Sequence, residues 1–218
     1  MGNKLDLPGM IAFDDRSAFE KLLSLTVGDE KGREYADRLL NRYGSLSTVL
    51  SEGEEELCRI CGSSMNTALF IKLIAYVNSR RITDNFTFGV EHTEYELREF
   101  ISALFLGTSV ETVYAILISS SGKTLSAEHI SNGTVNGSDI IPRKILELAK
   151  KKGAKGVILA HNHPKGSISA SKDDIFTTGR LYNLFGSVGI KLMAHYIVAD
   201  GEIGRIEMSM SCGIDYNI

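Results

Sequence analysis

The chain of 218 residues has no tryptophan, only three prolines and only three cysteines. The odd number of cysteines argues against a disulfide framework and for a reducing compartment, so we expect a cytoplasmic protein. No apolar run approaches the roughly 18 residues that a membrane-spanning helix requires. The first residues also lack the apolar core of a secretory signal. With a net charge of only −3, these absences leave a soluble globular protein and exclude a membrane protein.

Two of the cysteines, Cys58 and Cys61, form a C-x-x-C pair. Such a pair is a weak zinc or redox signal when no second pair and no nearby histidine accompany it. The apolar, helix-like context of residues 57–61 favours partly buried structural thiols instead. Cys212 has no partner close to it in the sequence. The cysteines therefore predict no metal or redox site.

The pattern of apolar residues changes near Thr83. Before this point, apolar residues recur every three or four positions, as they do in packed helices. The sequence therefore predicts a helical domain at residues 1–83, an acidic connection at 84–99 and a larger domain at 100–218. Within the larger domain and just before it, helices are predicted at 94–106, 142–152 and 172–187, and strands at 112–118, 124–130, 156–163 and 194–199. This order predicts an α/β domain with a mixed sheet and helices on its faces.

Four polar side chains of the larger domain, His161, His163, Ser171 and Asp174, stand at the spacing H-x-H-x7-S-x2-D. The apolar residues 157–160 predict a strand, and its period of two carries both imidazoles to the same face. The proline and glycine that follow should end the strand just after the second histidine. Ser171 suits a helix N-cap, with Asp174 three residues later in the first helical turn.

Two neutral imidazoles and one carboxylate are a ligand set for a catalytic zinc ion that keeps its fourth position for water. Zinc lowers the pKa of such a water from about 16 to about 7, and a nearby carboxylate can then move the proton to a leaving group. Each part alone has an ordinary structural explanation. Ser171 with Asp174 is a variant of the capping box, and a lone histidine at a strand end is commonly a hydrogen-bonded surface residue. Because all four fall in register, we favour a metal site.

The segment 160–166 (AHNHPKG), with Ser171 and Asp174, resembles the RadC-like branch of the JAMM (MPN+/JAB) metalloprotein family. The likeness takes in residues 133–136 (GTVN) and Pro142-Arg143, and it covers about residues 98–210. It implies a JAMM/MPN-type mixed sheet flanked by helices in cytidine-deaminase-like layering.

The resemblance also implies roles for the motif residues. His161, His163 and Asp174 would bind zinc, Ser171 would stabilise an oxyanion, and an upstream glutamate would be the general acid/base. JAMM relatives mostly cleave amide or isopeptide bonds. The resemblance thus implies a zinc-dependent hydrolase, peptidase or isopeptidase-like, that acts on a protein or peptide.

Two glutamates, Glu111 and Glu128, lie upstream of the motif. Glu111 immediately precedes the predicted strand 112–118, and the family's glutamate resembles it in standing at the start of the first buried strand. Glu128 lies within the predicted second strand, where an acid is more simply a solvent-facing residue of a hairpin. We therefore predict Glu111 as the acid/base, with Glu128 as the alternative.

Two positions depart from the family pattern. Ala194-His195 stands where many RadC-like sequences have Asp-His, and Lys165 stands where the family often has serine. His195 could orient a ligand or contact substrate, but a lone histidine in an apolar strand is more often a hydrogen-bonded structural residue, so we leave it outside the metal set. Lys165 could bind an acidic substrate group or be solvated.

The N-terminal region of RadC-like proteins often carries a helix-hairpin-helix, in which a Gly-x-Gly turn presents backbone amides to a nucleic-acid phosphate. Residues 44–62 resemble that region, but Gly62 stands in the turn without a second glycine. Residues 1–83 contain eleven Lys or Arg and twelve Asp or Glu, so they lack the basic surface of a phosphate binder. We expect a degenerate hairpin used for packing or protein contact, with DNA binding as the weaker alternative.

Two other functions stay open at this point. A non-catalytic MPN scaffold that binds protein or DNA would hold metal weakly or not at all, and the intact ligand set counts against it. A metal-dependent nuclease in DNA repair is the second alternative, since RadC-like members have been named as DNA-repair proteins. The contiguous string His161-Asn162-His163 does not support it, because the residues that name HNH nucleases are dispersed along their chains.

Overall fold

The computed structural model describes residues 14–62, 64–133, 140–164 and 166–207. The contacts divide the chain into two compact units between Val77 and Asn78. This division falls inside one continuous helix, Met65–Asn85, so the domain limits that the sequence placed at residues 83 and 100 stay a prediction. None of the described helices is long and apolar enough to cross a membrane.

The first unit is built from short helices. They are α1 (Asp15–Val27), α2 (Asp29–Tyr43), α3 (Leu46–Ser51), α4 (Glu54–Ile60) and the first part of α5 (Met65–Asn85). The side chains of Asp14 and Ser45 cap α1 and α3 by accepting backbone N–H bonds. Gly32 lets α1 and α2 approach closely, because a Cβ there would lie 2.6 Å from the backbone nitrogen of Ser24. The fully buried residues of this unit include Phe19, Leu23, Leu39, Leu57 and Ile71.

The second unit contains a five-stranded mixed sheet. Its elements after α5 are α6 (Glu94–Phe105), β1 (Thr112–Ile118), β2 (Thr124–Asn132), α7 (Ile140–Lys152), β3 (Gly156–Asn162), α8 (Lys172–Ser187), β4 (Lys191–Ala199) and β5 (Glu202–Arg205). The strand order is β2-β1-β3-β4-β5. The pair β3 and β4 is parallel and is connected through α8, whereas the other pairs are antiparallel. The predicted α/β class with a mixed sheet is confirmed.

The sheet is covered by helices on both faces. Val113, Leu117 and Leu159 pack with buried residues of α7 and α8, such as Ile145 and Phe185, and we call this side the α8 face. Side chains of the alternate positions pack with α6 on the other side, the α6 face; they include Ile116, Ile158 and Ala160 against Phe100 and Phe105. This alternation follows from the period of two in a strand that is buried on both faces.

One strand was not predicted from the sequence. β4 and β5 form a hairpin in which Ala199 pairs with Glu202, and the two residues between them, Asp200 and Gly201, have φ values of 50° and 78°. Positive φ at both central positions is the geometry of a two-residue hairpin turn, for which Asp-Gly is a favoured sequence. The signal for this strand was therefore present in the sequence.

The strand β4 contains an irregularity that decides where its side chains point. Val157 pairs with Leu192 and Ile158 with Ala194, so Met193 is an extra residue in β4. Leu192 belongs to the α8 face, but Met193 and Ala194 both pack on the α6 face. The bulge thus reverses the alternation, and His195, opposite Leu159, follows on the α8 face.

Candidate metal centre

The end of β3 and the start of α8 bring together the histidines and the aspartate of the sequence motif. His161 is in β3, and the backbone N–H of His163 donates to the carbonyl of Val198 at 2.8 Å, which ties it to β4. Asp174 is the third residue of α8. Candidate ligand atoms of His161, His163 and Asp174 all lie within 4.8 Å of one another. These three side chains therefore form a group that could hold a metal ion.

The candidate donor atoms of the three side chains lie close to one another. His161 Nε2 lies 3.0 Å from His163 Nε2 and 3.3 Å from Asp174 Oδ1. His163 Nε2 lies 3.5 Å from Asp174 Oδ2. A tetrahedral zinc ion with ligands at about 2.0–2.1 Å spaces those ligands about 3.3 Å apart. The 3.3 and 3.5 Å separations involve different oxygens of the Asp174 carboxylate, and with one ligand atom taken from each residue the three atoms all lie within 4.8 Å of one another.

The environment of the cluster keeps these donors in metal-binding form. His163 Nδ1 lies 2.8 Å from the carbonyl oxygen of Ser167, and because a carbonyl can only accept, Nδ1 carries the hydrogen and Nε2 is left to bind. Burial by itself raises the pKa of the Asp174 carboxyl, but the contact with the His161 imidazole and the hydrogen bonds from Ser171 outweigh it and hold that pKa below its usual range. Asp174 is therefore ionised at neutral pH.

Ser171 is the N-cap of α8 and forms a reciprocal capping box with Asp174. Its hydroxyl and its backbone N–H both donate to Asp174 Oδ2, at 2.6 and 2.8 Å, and Asp174 N–H donates to Ser171 Oγ at 3.1 Å. The capping interpretation and the metal-site interpretation of this motif are therefore not rivals. The same bonds that start the helix also orient the carboxylate.

Two residues that the sequence left out of the site lie beside it. His195 is fully buried, and its Nε2 lies 2.9 Å from His161 Nδ1. Its Nδ1 lies 2.7 Å from Thr178 Oγ1. Burial lowers the pKa of His195 to about 3, so this imidazole is neutral at pH 7. Thr178 could have been found from its position four residues after Asp174, on the same side of a helix, whereas His195 reaches the site only through the bulge at Met193.

The two candidate glutamates differ in their surroundings. Glu111 is half-buried and lies just before β1, two residues ahead of Val113, which pairs with His161. It thus stands at the same end of the sheet as the histidines, outside the group of three donors. Glu128 lies in the edge strand β2, and its carboxylate is 3.7 Å from Lys152 of α7. Glu128 is therefore half-buried and paired rather than a freely solvated hairpin residue.

A third residue missed by the sequence analysis is Asn162, between the two histidines. Its Oδ1 accepts a hydrogen bond from the backbone N–H of Thr112 at 2.8 Å, and its Nδ2 donates to the carbonyl of Val110 at 3.1 Å. Asn162 therefore holds the backbone on both sides of Glu111. Lys165 lies outside the described residues.

A comparison with known families agrees with this geometry. The family model described as the RadC-like JAB domain matches residues 92–211, which include the whole sheet and the donor cluster. The chain belongs to this family. The RadC-like JAB match also covers Glu111, Asn162 and His195, so each of the neighbouring residues lies within the shared domain.

Curated relatives extend the similarity over most of the chain. A UPF0758 protein of Finegoldia magna is 30% identical over 203 residues, covering 91% of this chain and 89% of its own length. One from Cellvibrio japonicus is 26% identical over 201 residues, covering 92% and 90%. A third, from Fusobacterium nucleatum, is 28% identical over 199 residues, covering 87% and 85%. The similarity to these RadC-like relatives therefore includes the helical first unit.

Proposed function

We propose that this protein is a zinc-dependent hydrolase that cleaves an amide or isopeptide bond of a protein or peptide. The observation that carries the proposal is the convergence of His161, His163 and Asp174, whose candidate ligand atoms all lie within 4.8 Å of one another, with the two Nε2 atoms 3.0 Å apart. An imidazole pair with one carboxylate suits zinc better than calcium or magnesium, which prefer oxygen ligands. When bound, zinc supplies a Lewis acid and a water with a pKa near 7.

Glu111 would act as the general acid/base. In this role its carboxylate accepts a proton from the attacking water and later delivers it to the leaving amine. This role is supported by the position of Glu111 at the same end of the sheet as the histidines. Glu111 lies two residues before Val113, which pairs with His161 across β1 and β3. The alternative Glu128 is supported less well, because its carboxylate is paired with Lys152 in the edge strand.

Ser171 would donate a hydrogen bond to the oxyanion that forms when water adds to the carbonyl. Its single hydroxyl hydrogen points to Asp174 Oδ2 in the structure. To serve the oxyanion, this hydrogen must turn away from the carboxylate, while the backbone N–H of Ser171 continues to hold Oδ2. Ser171 would thus exchange one acceptor for another during turnover.

The test begins with the metal content of the untagged full chain, measured by elemental analysis after purification with zinc supplied. We expect about one zinc per chain in the wild type, and none in His161→Ala or Asp174→Ala. His129→Ala is the matched control, because His129 lies in β2 and bonds to Asn132 rather than to the cluster. Absence of zinc in the wild type would overturn the hydrolase and favour the non-catalytic scaffold.

A substrate screen follows if zinc is present. The zinc-loaded protein is incubated with a library of internally quenched peptides, with isopeptide-linked peptides and, separately, with single- and double-stranded DNA. We expect cleavage of peptides that is lost in Glu111→Gln and after chelation. Metal-dependent cutting of DNA with no cleavage of any peptide would overturn the proposed substrate class and favour a nuclease.

A further inference from the structure

A continuous chain of hydrogen bonds runs from the backbone of Asp174 to the side chain of His161. Thr178 Oγ1 lies 2.6 Å from the carbonyl oxygen of Asp174 and 2.7 Å from His195 Nδ1. His195 Nε2 then lies 2.9 Å from His161 Nδ1. Thr178 and His195 are both buried, at 3% and 0% exposure, so these contacts are not exchanged for water.

The contact between Thr178 and the carbonyl of Asp174 fixes the direction in which these hydrogen bonds are donated. The carbonyl oxygen of Asp174 has no hydrogen, and two acceptors 2.6 Å apart without a hydrogen between them would repel each other. The hydroxyl hydrogen of Thr178 is therefore directed to that carbonyl. A hydroxyl has only one hydrogen, so Thr178 Oγ1 can only accept from His195. It follows that His195 Nδ1 carries a hydrogen.

The hydrogen on His195 Nδ1 also decides what its Nε2 can do. A neutral imidazole that carries its hydrogen on Nδ1 has a lone pair on Nε2. This lone pair faces His161 Nδ1 at 2.9 Å, so His161 must carry its own hydrogen on Nδ1. The Nε2 of His161 is then left with a lone pair, directed at His163 and Asp174.

We infer that Thr178 and His195 are positioning residues that hold His161 in the tautomer with Nε2 free, and so prepare the cluster for a cation before one arrives. His163 is held in the same tautomer by the carbonyl of Ser167. When both rings are neutral, the two Nε2 atoms and the Asp174 carboxylate face one another as acceptors 3.0–3.5 Å apart, which is favourable only with a cation between them. The inference rests on the proposed metal site for its purpose, but the tautomer is a property of the metal-free chain.

The arrangement also links two ligands through one helix. Asp174 contributes its carboxylate to the group of donors, and its backbone carbonyl accepts the first hydrogen bond of the series, from Thr178. A shift of the first turns of α8 would therefore disturb a ligand and the orientation of His161 together. Neither Thr178 nor His195 belongs to the group of three donors; His195 acts through His161, and Thr178 acts through His195 and through the backbone of Asp174.

The first test is nitrogen NMR of the metal-free full chain labelled at histidine, with long-range proton–nitrogen correlations that report the tautomer of each ring. We expect His161 to carry its hydrogen on Nδ1 in the wild type. Thr178→Val removes the hydroxyl with little change of shape and should allow a second His161 tautomer to appear. Thr178→Ser keeps a hydroxyl and should restore the wild-type spectrum.

The second test is zinc affinity, measured by competition with a chromophoric chelator. Loss of groups that orient a metal ligand typically weakens binding by about 10- to 100-fold, and we expect this for Thr178→Val but not for Thr178→Ser. Thr124→Val is the matched control. Thr124 is also buried, and its hydroxyl has no hydrogen-bond partner. It pairs with Ile118 at the end of β1, whereas His161 pairs with Val113 near the start of that strand.

The outcomes separate this inference from the proposed function. A wild-type His161 that carries its hydrogen on Nε2, or a Thr178→Val protein with unchanged tautomer and unchanged zinc affinity, would overturn the inference whether or not the protein is a hydrolase. A wild type with the expected tautomer but no bound zinc would support the positioning role and overturn the proposed function. Equal weakening by Thr178→Val and Thr124→Val would show a general effect of lost hydroxyls and would also overturn it.

Discussion

The side chain of Asn162 accepts a hydrogen bond from the backbone N–H of Thr112 at 2.8 Å. Asn162 lies between the two histidines of the candidate zinc site, and Thr112 directly follows Glu111, the candidate acid/base. The same amide donates to Val110, just before Glu111. Both Asn162 and Thr112 are buried, at 4% exposure. The backbone that carries Glu111 is thus set by the strand that carries the histidines.

This relationship predicts the effect of Asn162→Ala. The variant leaves the buried Thr112 N–H without a partner, which costs about 1–3 kcal/mol of unfolding free energy. It also releases the backbone at Glu111, so turnover should fall while zinc is retained. Urea unfolding, zinc analysis and peptide cleavage measure the three effects. Unchanged stability would contradict the role of the amide, and loss of zinc would place the damage at the histidines instead.

Ser171→Ala should show whether the capping box at the candidate metal site affects zinc binding as well as helix stability. The substitution removes the N-cap of α8, which costs about 1 kcal/mol, and it removes a bond that orients Asp174 Oδ2. We expect a zinc affinity about 10-fold weaker. Thr93→Ala is the control, because Thr93 and Glu96 form the same motif at the start of α6. That variant should lose similar stability, and an equal loss of zinc affinity in both would contradict the assignment.

Glu111→Gln and Glu128→Gln should differ in turnover and agree in metal content. Removing a general acid/base typically lowers the rate by about 10²–10⁴-fold, and we expect this loss only in Glu111→Gln, with about one zinc per chain retained. Glu128→Gln breaks a partly exposed ion pair with Lys152 and should cost less than about 1 kcal/mol. The reverse pattern of activity would assign the acid/base to Glu128.

The two cysteines of the C-x-x-C pair should react differently with alkylating reagents. Burial, together with the charge of Cys58, raises the pKa of the Cys61 thiol to about 11, and only a thiolate attacks such reagents. In a Cys212→Ser protein treated with iodoacetamide at pH 8, mass spectrometry should find label on Cys58, which is partly exposed, well before Cys61. Labelling of Cys61 should rise as the pH approaches 11. Equal rates at pH 8 would contradict the buried environment.

The same pKa predicts the direction of a stability change. The folded state keeps the Cys61 proton to about pH 11, whereas an exposed thiol has an ordinary pKa of 9.0. The unfolded chain therefore binds fewer protons between these values, and the contribution of Cys61 to stability is complete below pH 9 and is lost as the pH rises. Cys61→Ala should show a smaller loss of stability than the wild type over pH 9–11 in urea unfolding.

Local relations in the candidate site were readable from the sequence. His161 and His163 share a face because strand side chains alternate, and Ser171 and Asp174 share the first turn of α8 because a cap and its third helical residue are neighbours. Both relations depend on a few consecutive residues. The sequence Asp200-Gly201 equally indicates a two-residue hairpin turn, and therefore the strand β5 that follows it.

Relations between strands were not readable in the same way. The bond between Asn162 and Thr112 joins residues 50 positions apart and depends on the register of β1 against β3. A lone histidine in an apolar strand predicts a structural residue, and nothing in the sequence of β4 indicates the extra residue at Met193 that brings His195 to His161. Periodicity predicts which side chains share a face only while the register is regular.

Because of the extra residue in β4, the position of His195 depends on the number of residues in the segment 192–195 more than on their identity. Replacing Met193 by another apolar residue of similar size keeps the reversal of alternation that brings His195 to His161. Deleting one residue there, or inserting one, would turn His195 towards α6 and leave an apolar neighbour beside His161. In an alignment of relatives, this segment should therefore tolerate substitutions at Met193 and exclude single-residue insertions and deletions.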